Sequence, residues 1–245
     1  MALEIKKLSK HFDNSEEATL NEIDLEIKSG EFVCLVGASG CGKSTLLNLV
    51  AGLISPTNGE IVLDGERITG PGADRTVMFQ EHGLYPWLNV IDNVKFGLKM
   101  AKRPKEEQEE VALHYLEMVG LLDYKDYPIH QISGGMKQRV ALARALTMDS
   151  KMLLMDEPFS ALDKQTSNRL REELQRIWME TKKTILFVTH SVEEAVYLGD
   201  RVVVLTPGKE MQIVDINLER PRHVHAPEFV DLRHEILDYI KGVEK

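Results

Sequence analysis

A glycine-rich segment between an apolar run and a helical pattern constrains the fold of this chain most strongly. Residues 37–45 read GASGCGKST, after the continuous apolar run 32–36 and before a helical pattern over residues 44–50. A strand, a glycine loop and a helix in this order form the context in which such a loop binds phosphate. The glycines let backbone N–H groups point inward, and the helix N-terminus adds partial positive charge. The segment therefore predicts a phosphate-binding loop within an α/β fold.

Two side chains of this loop have tasks that follow from the motif. Lys43 is placed to reach the β- and γ-phosphates of a nucleotide, and Ser44 offers its hydroxyl to Mg²⁺. The alternative, a turn that merely caps a helix, is disfavoured because every required position is filled in the right context. The residues predicted to contact the nucleotide here are Gly37, Ser39, Gly40, Cys41, Gly42, Lys43, Ser44 and Thr45.

A second motif, residues 151–157 with the sequence KMLLMDE, places two carboxylates after a buried apolar strand. Asp156 ends that strand, where a carboxylate can hold Mg²⁺ through water. Adjacent strand residues point to opposite faces, so Glu157 is predicted to have a different task and to meet the attacking water. Alternatively, Glu157 is a surface residue that starts the turn at Pro158. The segment SALD at residues 160–163 favours the catalytic interpretation.

Composition limits the classes of protein to consider. The chain has 245 residues, enough for one large domain or for one domain with an inserted subdomain. Its net charge of −9 argues against a general nucleic-acid or anionic-lipid surface, since both need a basic field. Cys34 and Cys41 do not read as a disulfide framework and fit a reduced cytosol. We predict no transmembrane segment and no signal peptide, so that any membrane role comes through a partner.

Alternation of strand and helix patterns predicts a parallel sheet. Strand-like runs occupy the region before residue 63, and an inserted helical segment is predicted over roughly residues 88–131. With the helix that follows it, this segment makes a helical subdomain of approximately 88–148 inside one domain, 1–245. Its helix at 105–119 has a predicted apolar face of Val111, Leu113, Tyr115, Leu116 and Val119. Further predicted elements are helices at 134–148, 165–180, 192–198 and 228–241, strands at 152–155 and 184–188, and a hairpin of 201–205 with 211–216.

Taken together, the motifs resemble those of the ATP-binding subunits of ABC transporters, in the same order and over nearly the whole chain. Gln80 in VMFQE resembles the Q-loop glutamine, residues 132–138 (ISGGMKQ) the signature turn, residues 160–163 the D-loop, and His190 in VTH the switch histidine. The resemblance implies a P-loop NTPase core with a mostly parallel sheet, an N-terminal antiparallel β subdomain and the inserted α-helical subdomain. It also implies ATP and Mg²⁺ as cofactors.

The resemblance further implies that two such domains face each other head to tail, as a homodimer or with a paralogous ATPase subunit. ATP on one phosphate loop is then covered by the signature turn of the other domain, and ADP lacks the group that this turn grips. The resemblance implies that Ser133, Gly134 and Gly135 cover ATP and that Asp163 orients the partner. It implies that Gln80 positions the metal and the phosphates and that Glu157 is catalytic. It also implies that His190 contacts the γ-phosphate and that Phe12 stacks on adenine.

Alternatives remain for two of these roles, since Phe12 could be a core phenylalanine at a strand end and His190 a structural histidine. The signature turn also departs from the commonest form, with Ile132 for a leucine and Met136 for a glutamine. We expect activity to survive both changes, because backbone groups and Ser133 carry the phosphate contact.

The cluster Tyr-Pro-Trp-Leu at residues 85–88 is costly to leave in water. It could be a local cluster under the helical subdomain, a groove for a helix of a transmembrane permease, or both. We predict docking near residues 85–94, from Tyr85 to Val94. This segment and residues 220–229 resemble importer subunits of the nitrate, sulfonate and taurine group, which implies a cytoplasmic position at the membrane and an indirect link to a periplasmic or extracellular solute-binding protein.

Two other classes of protein compete with an importer ATPase. A soluble ABC-type ATPase of DNA repair or translation usually has a long coiled coil or two nucleotide domains, and the acidic charge also argues against it. A regulatory module that binds ATP without hydrolysis usually lacks a residue such as Glu157 or His190, and both are present.

Overall fold

The computed structural model describes residues 2–12, 18–79, 83–207 and 210–242, and strands alternate with helices through most of them. The strands are β1 (Leu3–Lys10), β2 (Leu20–Ile27), β3 (Phe32–Gly37), β4 (Asn58–Leu63), β5 (Glu66–Arg67), β6 (Arg75–Met78), β7 (Met152–Asp156), β8 (Thr184–Val188), β9 (Arg201–Leu205) and β10 (Gln212–Asp215). The helices are α1 (Lys43–Val50), α2 (Val90–Met100), α3 (Lys105–Met118), α4 (Gly134–Thr147), α5 (Lys164–Thr181), α6 (Val192–Leu198) and α7 (Pro227–Lys241).

Within the described residues the strands form two sheets. The larger has the order β10-β9-β3-β8-β7-β6, and all its pairs are parallel except the β9–β10 hairpin. The smaller is antiparallel, with the order β2-β1-β4-β5. The predicted fold class is therefore confirmed. Because β3, β7 and β8 run parallel, the segments that follow them all emerge at one edge of the larger sheet.

The larger sheet is buried on both faces, which explains the uninterrupted apolar run that begins β3. Phe32, Cys34 and Val36 pack on the side of the helices α2–α7, whereas Val33 and Leu35 pack toward α1 and the antiparallel sheet. The same alternation holds in β7, β8 and β9. A parallel sheet covered in this way presents no polar face, and its strands become nearly all apolar.

Helices α2, α3 and α4 pack against one another within the region predicted to be a helical subdomain. In α3 the most buried side chains are Ala112 and Leu116, and Val119 follows them one turn later. The predicted apolar face omitted Ala112 and included Val111, which is not in the core cluster. The small side chain of Ala112 lets α3 approach its neighbours closely, a feature that hydrophobicity alone does not mark.

Both cysteines, Cys34 and Cys41, are buried free thiols. Burial raises the pKa of the Cys34 thiol well above its ordinary value. Among the described helices, none combines the length and the apolar character that crossing a bilayer requires.

Candidate nucleotide site

The phosphate loop begins where β3 ends, and two of its positions leave no room for a side chain. Gly37 has a φ of 153°, and a Cβ there would collide with the carbonyl oxygen of Leu205 and with the sulfur of Cys41. Gly42 has a φ of 99°, and its Cβ would lie 2.7 Å from a methyl group of Leu20. Glycine is therefore required at both positions for conformational and steric reasons.

Lys43 begins α1 and is only 7% exposed. Its Nζ donates hydrogen bonds to the carbonyl oxygens of Gly37 at 3.0 Å and Ala38 at 2.8 Å. The ammonium group therefore lies within the loop, among neutral acceptors. Charged phosphate oxygens are stronger partners for an ammonium group than these carbonyls are, so the arrangement suits phosphate binding.

Ser44 and Asp156 come together although 112 residues separate them. The Ser44 hydroxyl donates to Oδ1 of Asp156 at 3.1 Å. Burial raises the pKa of the Asp156 carboxyl, the Ser44 hydrogen bond opposes that rise, and the charge of Glu157 adds to it.

Hydroxyl and carboxylate oxygens are the hard ligands that Mg²⁺ prefers, and it usually takes one or two carboxylates plus substrate phosphates. In the part of the chain that the structure describes, no group of three or more His, Cys, Asp or Glu side chains could hold a metal by itself. The Ser44–Asp156 pair therefore fits a Mg²⁺ that nucleotide phosphates help to hold.

Glu157 follows β7 but does not continue it. Its φ of 44° is in the left-handed region, and its N–H donates to the carbonyl of Val188 at 2.9 Å. The carboxylate oxygen Oε2 lies 3.0 Å from Nδ1 of His190, which follows β8. The two carboxylates face different partners, as the sequence predicts. The cause differs from the predicted one, because the left-handed turn at Glu157 separates them and not the alternation of side chains along a strand.

The signature turn opens α4. Ser133 caps this helix by accepting a hydrogen bond from the N–H of Met136 at 3.3 Å, and Ser133 and Gly134 are exposed. Ile132 is buried in the core, and the Met136 side chain packs against the same core cluster. The two departures from the commonest signature therefore concern packing. Since the exposed helix start carries unpaired N–H groups and a positive dipole end, it can receive an anion.

Asp163, at the end of the predicted D-loop, caps α5. Its Oδ1 accepts a hydrogen bond from the N–H of Thr166 at 3.0 Å, and the hydrogen bonds from Thr166 lower the pKa of the carboxyl. The carboxylate is therefore engaged within its own chain. Its contact with a partner stays a prediction.

Phe12 lies two residues beyond β1, and its side chain is 43% exposed, with the Lys10 ammonium group 5.0 Å from the ring centre. This exposure removes the alternative of a core phenylalanine. Lys10 pairs with Leu20, which packs beside Gly42 of the phosphate loop, so Phe12 follows a strand that ends near that loop. Stacking on adenine stays a prediction. Gln80 lies outside the described residues.

Sequence patterns missed a polar network behind His190. Oε2 of Glu194 accepts a hydrogen bond from the Thr189 hydroxyl at 2.6 Å, and Oε1 accepts one from the Ser167 hydroxyl at 3.3 Å. The one signal in the sequence is the spacing of Ser191 and Glu194, which is typical of a capping box. That pattern predicts where α6 begins, but not the contact with α5.

The aromatic loop at residues 83–89 is held by a buried asparagine of α2. The Asn93 amide oxygen accepts from the N–H of Tyr85 at 2.8 Å, and its NH₂ group donates to the carbonyls of Asn89 at 2.9 Å and Tyr85 at 3.2 Å. The Tyr85 ring lies 4.2 Å from that of Phe96. Trp87, in contrast, is 75% exposed. The loop therefore presents an indole on a pinned backbone.

Comparison with known proteins adds independent information. The family model described as ABC transporter matches residues 20–160. An uncharacterized ABC transporter ATP-binding protein of Methanocaldococcus jannaschii is 51% identical over 98% of this chain and 91% of its own length. The nitrate import ATP-binding protein NrtD of Synechocystis sp. is 47% identical over 100% of this chain and 97% of its own. The taurine import ATP-binding protein TauB of Roseobacter denitrificans is 43% identical over 99% and 95%.

Solved structures share this fold over most of the chain. A dimeric post-hydrolysis state of the ATP-binding cassette MJ0796, bound to ADP and Pi, has a TM-score of 0.75 at 32% identity and covers 89% of this chain and 100% of its own. The cbiO1 protein of Clostridium perfringens, part of the ABC transporter complex cbiONQ, has a TM-score of 0.82 at 27% identity and covers 99% of both chains.

Proposed function

This chain belongs to the ABC transporter ATP-binding family, and from that premise we propose that it energises a membrane importer of a small anionic solute. The chain is an ATPase whose cofactors are ATP and Mg²⁺. One observation supports the assignment of its site most directly. The Ser44–Asp156 pair and the Glu157–His190 pair meet at the same edge of the sheet as Lys43.

Lys43 exchanges its loop carbonyls for the β- and γ-phosphate oxygens of ATP, while Phe12 stacks on adenine. Ser44 and Asp156 would hold Mg²⁺, together with Gln80, and N–H groups of the loop would surround the phosphates, from Gly37, Ser39, Gly40, Cys41, Gly42 and Thr45. When bound, Mg²⁺ would neutralise charge on the phosphate oxygens. The protein contributes mainly position and electrostatic stabilisation, because phosphoryl transfer demands little covalent chemistry of it.

Glu157 polarises the water that attacks the γ-phosphate in line, and the left-handed turn aims its carboxylate away from Asp156. The same carboxylate orients the imidazole of His190 through Nδ1. The other ring nitrogen then serves a phosphate oxygen, on which negative charge develops in the transition state.

A second copy, or a close paralogue, completes each site. Ser133, Gly134 and Gly135 meet the γ-phosphate held by the other subunit, and Asp163 orients the two subunits. Two features support this arrangement: the exposed start of α4 and the dimeric form of the related ADP- and Pi-bound cassette. Because ADP lacks the γ-phosphate, hydrolysis releases this contact and opens the dimer.

The membrane partner docks on the aromatic loop and the start of α2, near residues 85–94. An indole that is 75% exposed on a pinned backbone is suited to receive an apolar helix. Closure of the dimer moves this surface and changes the access state of transmembrane permease subunits. The protein then lies at the cytoplasmic face of the membrane, and an extracytoplasmic solute-binding protein meets it only indirectly.

The proposed solute class rests on the relatives that are named nitrate import and taurine import ATP-binding proteins. The chain itself holds ATP and does not contact the solute. The competing class of a non-hydrolysing regulatory module is disfavoured, since Glu157 and His190 are both present and in contact.

The test of the assigned site is MgATP turnover by the purified protein and by Glu157→Gln. We expect Glu157→Gln to bind MgATP with near-normal affinity and to lose turnover, because water activation fails while phosphate binding survives. Glu180→Gln is the matched control, as Glu180 lies on the exposed last turn of α5 beside Arg176. Turnover by Glu157→Gln at the rate of the parent protein would contradict the role of Glu157.

A further inference from the structure

The helix that carries the predicted D-loop residue is tied directly to the helix that follows His190. Glu193 of α6 accepts hydrogen bonds from Lys164 and Arg171 of α5, each at 2.9 Å. The guanidinium group of Arg171 also lies 4.2 Å from the ring centre of Tyr197. These contacts join the first half of α5 to the whole length of α6.

The neighbouring Glu194 reaches the segment that carries His190. Its carboxylate joins two buried residues, since Oε2 accepts a hydrogen bond from the Thr189 hydroxyl and Oε1 accepts one from the Ser167 hydroxyl. The Thr189 hydroxyl in turn accepts a hydrogen bond from the N–H of Ser191 at 3.0 Å. Glu194 therefore fixes the residues before and after His190, and it fixes them to α5.

We propose that Glu194 is a positioning residue for His190, which it holds through Thr189 and Ser191 at a fixed distance from α5. The inference rests on the proposed function, in which His190 serves the γ-phosphate. The His190 side chain is mostly exposed. Its backbone position consequently depends on the hydrogen bonds beneath it, because little packing surrounds the ring.

The same tie has a consequence for communication within the dimer. α5 begins at Lys164, directly after its cap Asp163. Thr166 in its first turn lies so close to the signature turn that a Cβ on Gly135 would be 2.6 Å from the Thr166 methyl group. The signature turn serves the ATP of the partner, whereas His190 serves the ATP of its own chain. α5 and Glu194 thus form a physical connection between the signature turn and His190.

The first experiment compares Glu194→Ala, Glu194→Gln and the control Glu180→Ala. We expect Glu194→Ala to lower kcat about ten- to a hundredfold, since small displacements of a catalytic group have effects of this size. KM for MgATP should change less than about twofold, because Lys43 and Ser44 carry binding. Glu194→Gln should retain nearly full kcat. The hydroxyls of Thr189 and Ser167 can each donate or accept a hydrogen bond, so they can satisfy both the oxygen and the NH₂ group of the glutamine amide.

A double-mutant cycle with His190→Ala separates positioning from a general loss of structure. If Glu194 acts through His190, Glu194→Ala should change the residual turnover of His190→Ala by less than about twofold. Residual turnover is measured at high enzyme concentration by release of labelled phosphate. A fall as large as in the parent protein would overturn the inference.

A gentler variant keeps the inference testable if Glu194→Ala folds poorly. Ser167→Ala removes one of the two hydroxyls on Glu194, and we expect a smaller fall in kcat in the same direction. Nuclear magnetic resonance of ¹⁵N-labelled histidine should also show changed His190 ring signals in this variant. Unchanged kcat and unchanged His190 signals would overturn the inference. Normal turnover by His190→Ala would overturn the proposed role of His190 as well.

Discussion

At the residue scale, the end of β7 shows how one backbone change separates two tasks. Asp156 keeps the extended conformation and meets Ser44, whereas Glu157 has a positive φ and meets His190. A left-handed conformation is unfavourable for a residue with a side chain, and it persists where the surroundings fix it. Here the hydrogen bond from the Glu157 N–H to Val188 and the turn closed by Ser160 fix it.

The Asp156→Asn variant tests the electrostatic side of this arrangement. Burial raises the pKa of Asp156 above its ordinary value of 3.8, so the folded state binds this proton more tightly than the unfolded state does. The free energy of unfolding therefore falls as the pH rises from 3.8 through the raised pKa of Asp156. Asparagine does not ionise, so the substitution removes this fall. We expect a higher Tm at neutral pH without nucleotide, and MgATP affinity lower by about tenfold or more.

Thermal denaturation and magnesium titrations of ATP binding give the two measurements for Asp156→Asn. Unchanged dependence of ATP affinity on magnesium would remove Asp156 from the metal site.

Lys43→Ala should weaken MgATP binding by about tenfold or more, since hydrogen bonds to charged groups contribute about 1.5–3 kcal/mol each. Isothermal calorimetry measures the affinity directly. Lys151→Ala is a suitable control, because Lys151 is an exposed lysine paired with Asp64. An affinity equal to that of the control would contradict the assignment of Lys43 to the phosphates.

At the scale of elements, most of the fold could be predicted because the signals are local. The run 32–36, the predicted strands at 152–155 and 184–188 and the helix at 192–198 agree with β3, β7, β8 and α6 within a residue or so. The start of α2 carries a local signal as well, since Asn89 caps it by accepting from the N–H of Asp92. The apolar face of α3 was harder to predict, because packing favoured the small side chain of Ala112.

The motif residues of the site could likewise be found from the sequence, but their contacts could not. Ser44 meets Asp156, and Glu157 meets His190, only because β3, β7 and β8 are neighbours in the sheet. The left-handed turn at Glu157 and the two hydroxyls on Glu194 have no local pattern that marks them. Contacts of this kind depend on which distant strands pair, and that is decided by the whole fold.

Asn93→Ala tests how the aromatic loop is held on α2. The substitution leaves buried N–H and C=O groups of the loop without the amide that satisfies them. We expect the free energy of unfolding to fall by about 1–3 kcal/mol, measured by urea denaturation. Trp87→Ala should change it by less than about 0.5 kcal/mol, because this side chain is mostly in solvent. Equal effects of the two variants would contradict the proposed role of Asn93.

At the scale of the whole molecule, one edge of the parallel sheet collects the phosphate loop, both carboxylates and His190, whereas the signature turn lies at the exposed start of α4. In the proposed dimer, that turn faces the nucleotide of a second subunit. In the same proposal, ATP joins two chains and the aromatic loop carries the resulting movement to the membrane partner.

Trp87→Ala should leave MgATP binding intact and abolish most solute transport by a reconstituted complex, because the indole supplies contact area to the permease in the proposed docking mode. Ile213→Ala is the matched control, as an exposed apolar residue of β10. Binding is followed by calorimetry and transport by uptake into proteoliposomes. Transport by Trp87→Ala at the level of the control would exclude Trp87 from the docking surface.

The most direct test of the ATP-bridged dimer is the mass of Glu157→Gln by light scattering, with and without MgATP. We predict a chain mass of 27.8 kDa without nucleotide and twice that mass with MgATP, since hydrolysis no longer separates the subunits. Adding Ser133→Arg should prevent the increase while ATP stays bound. A monomer that retains bound MgATP in Glu157→Gln would contradict a signature turn that acts on the nucleotide of a second subunit.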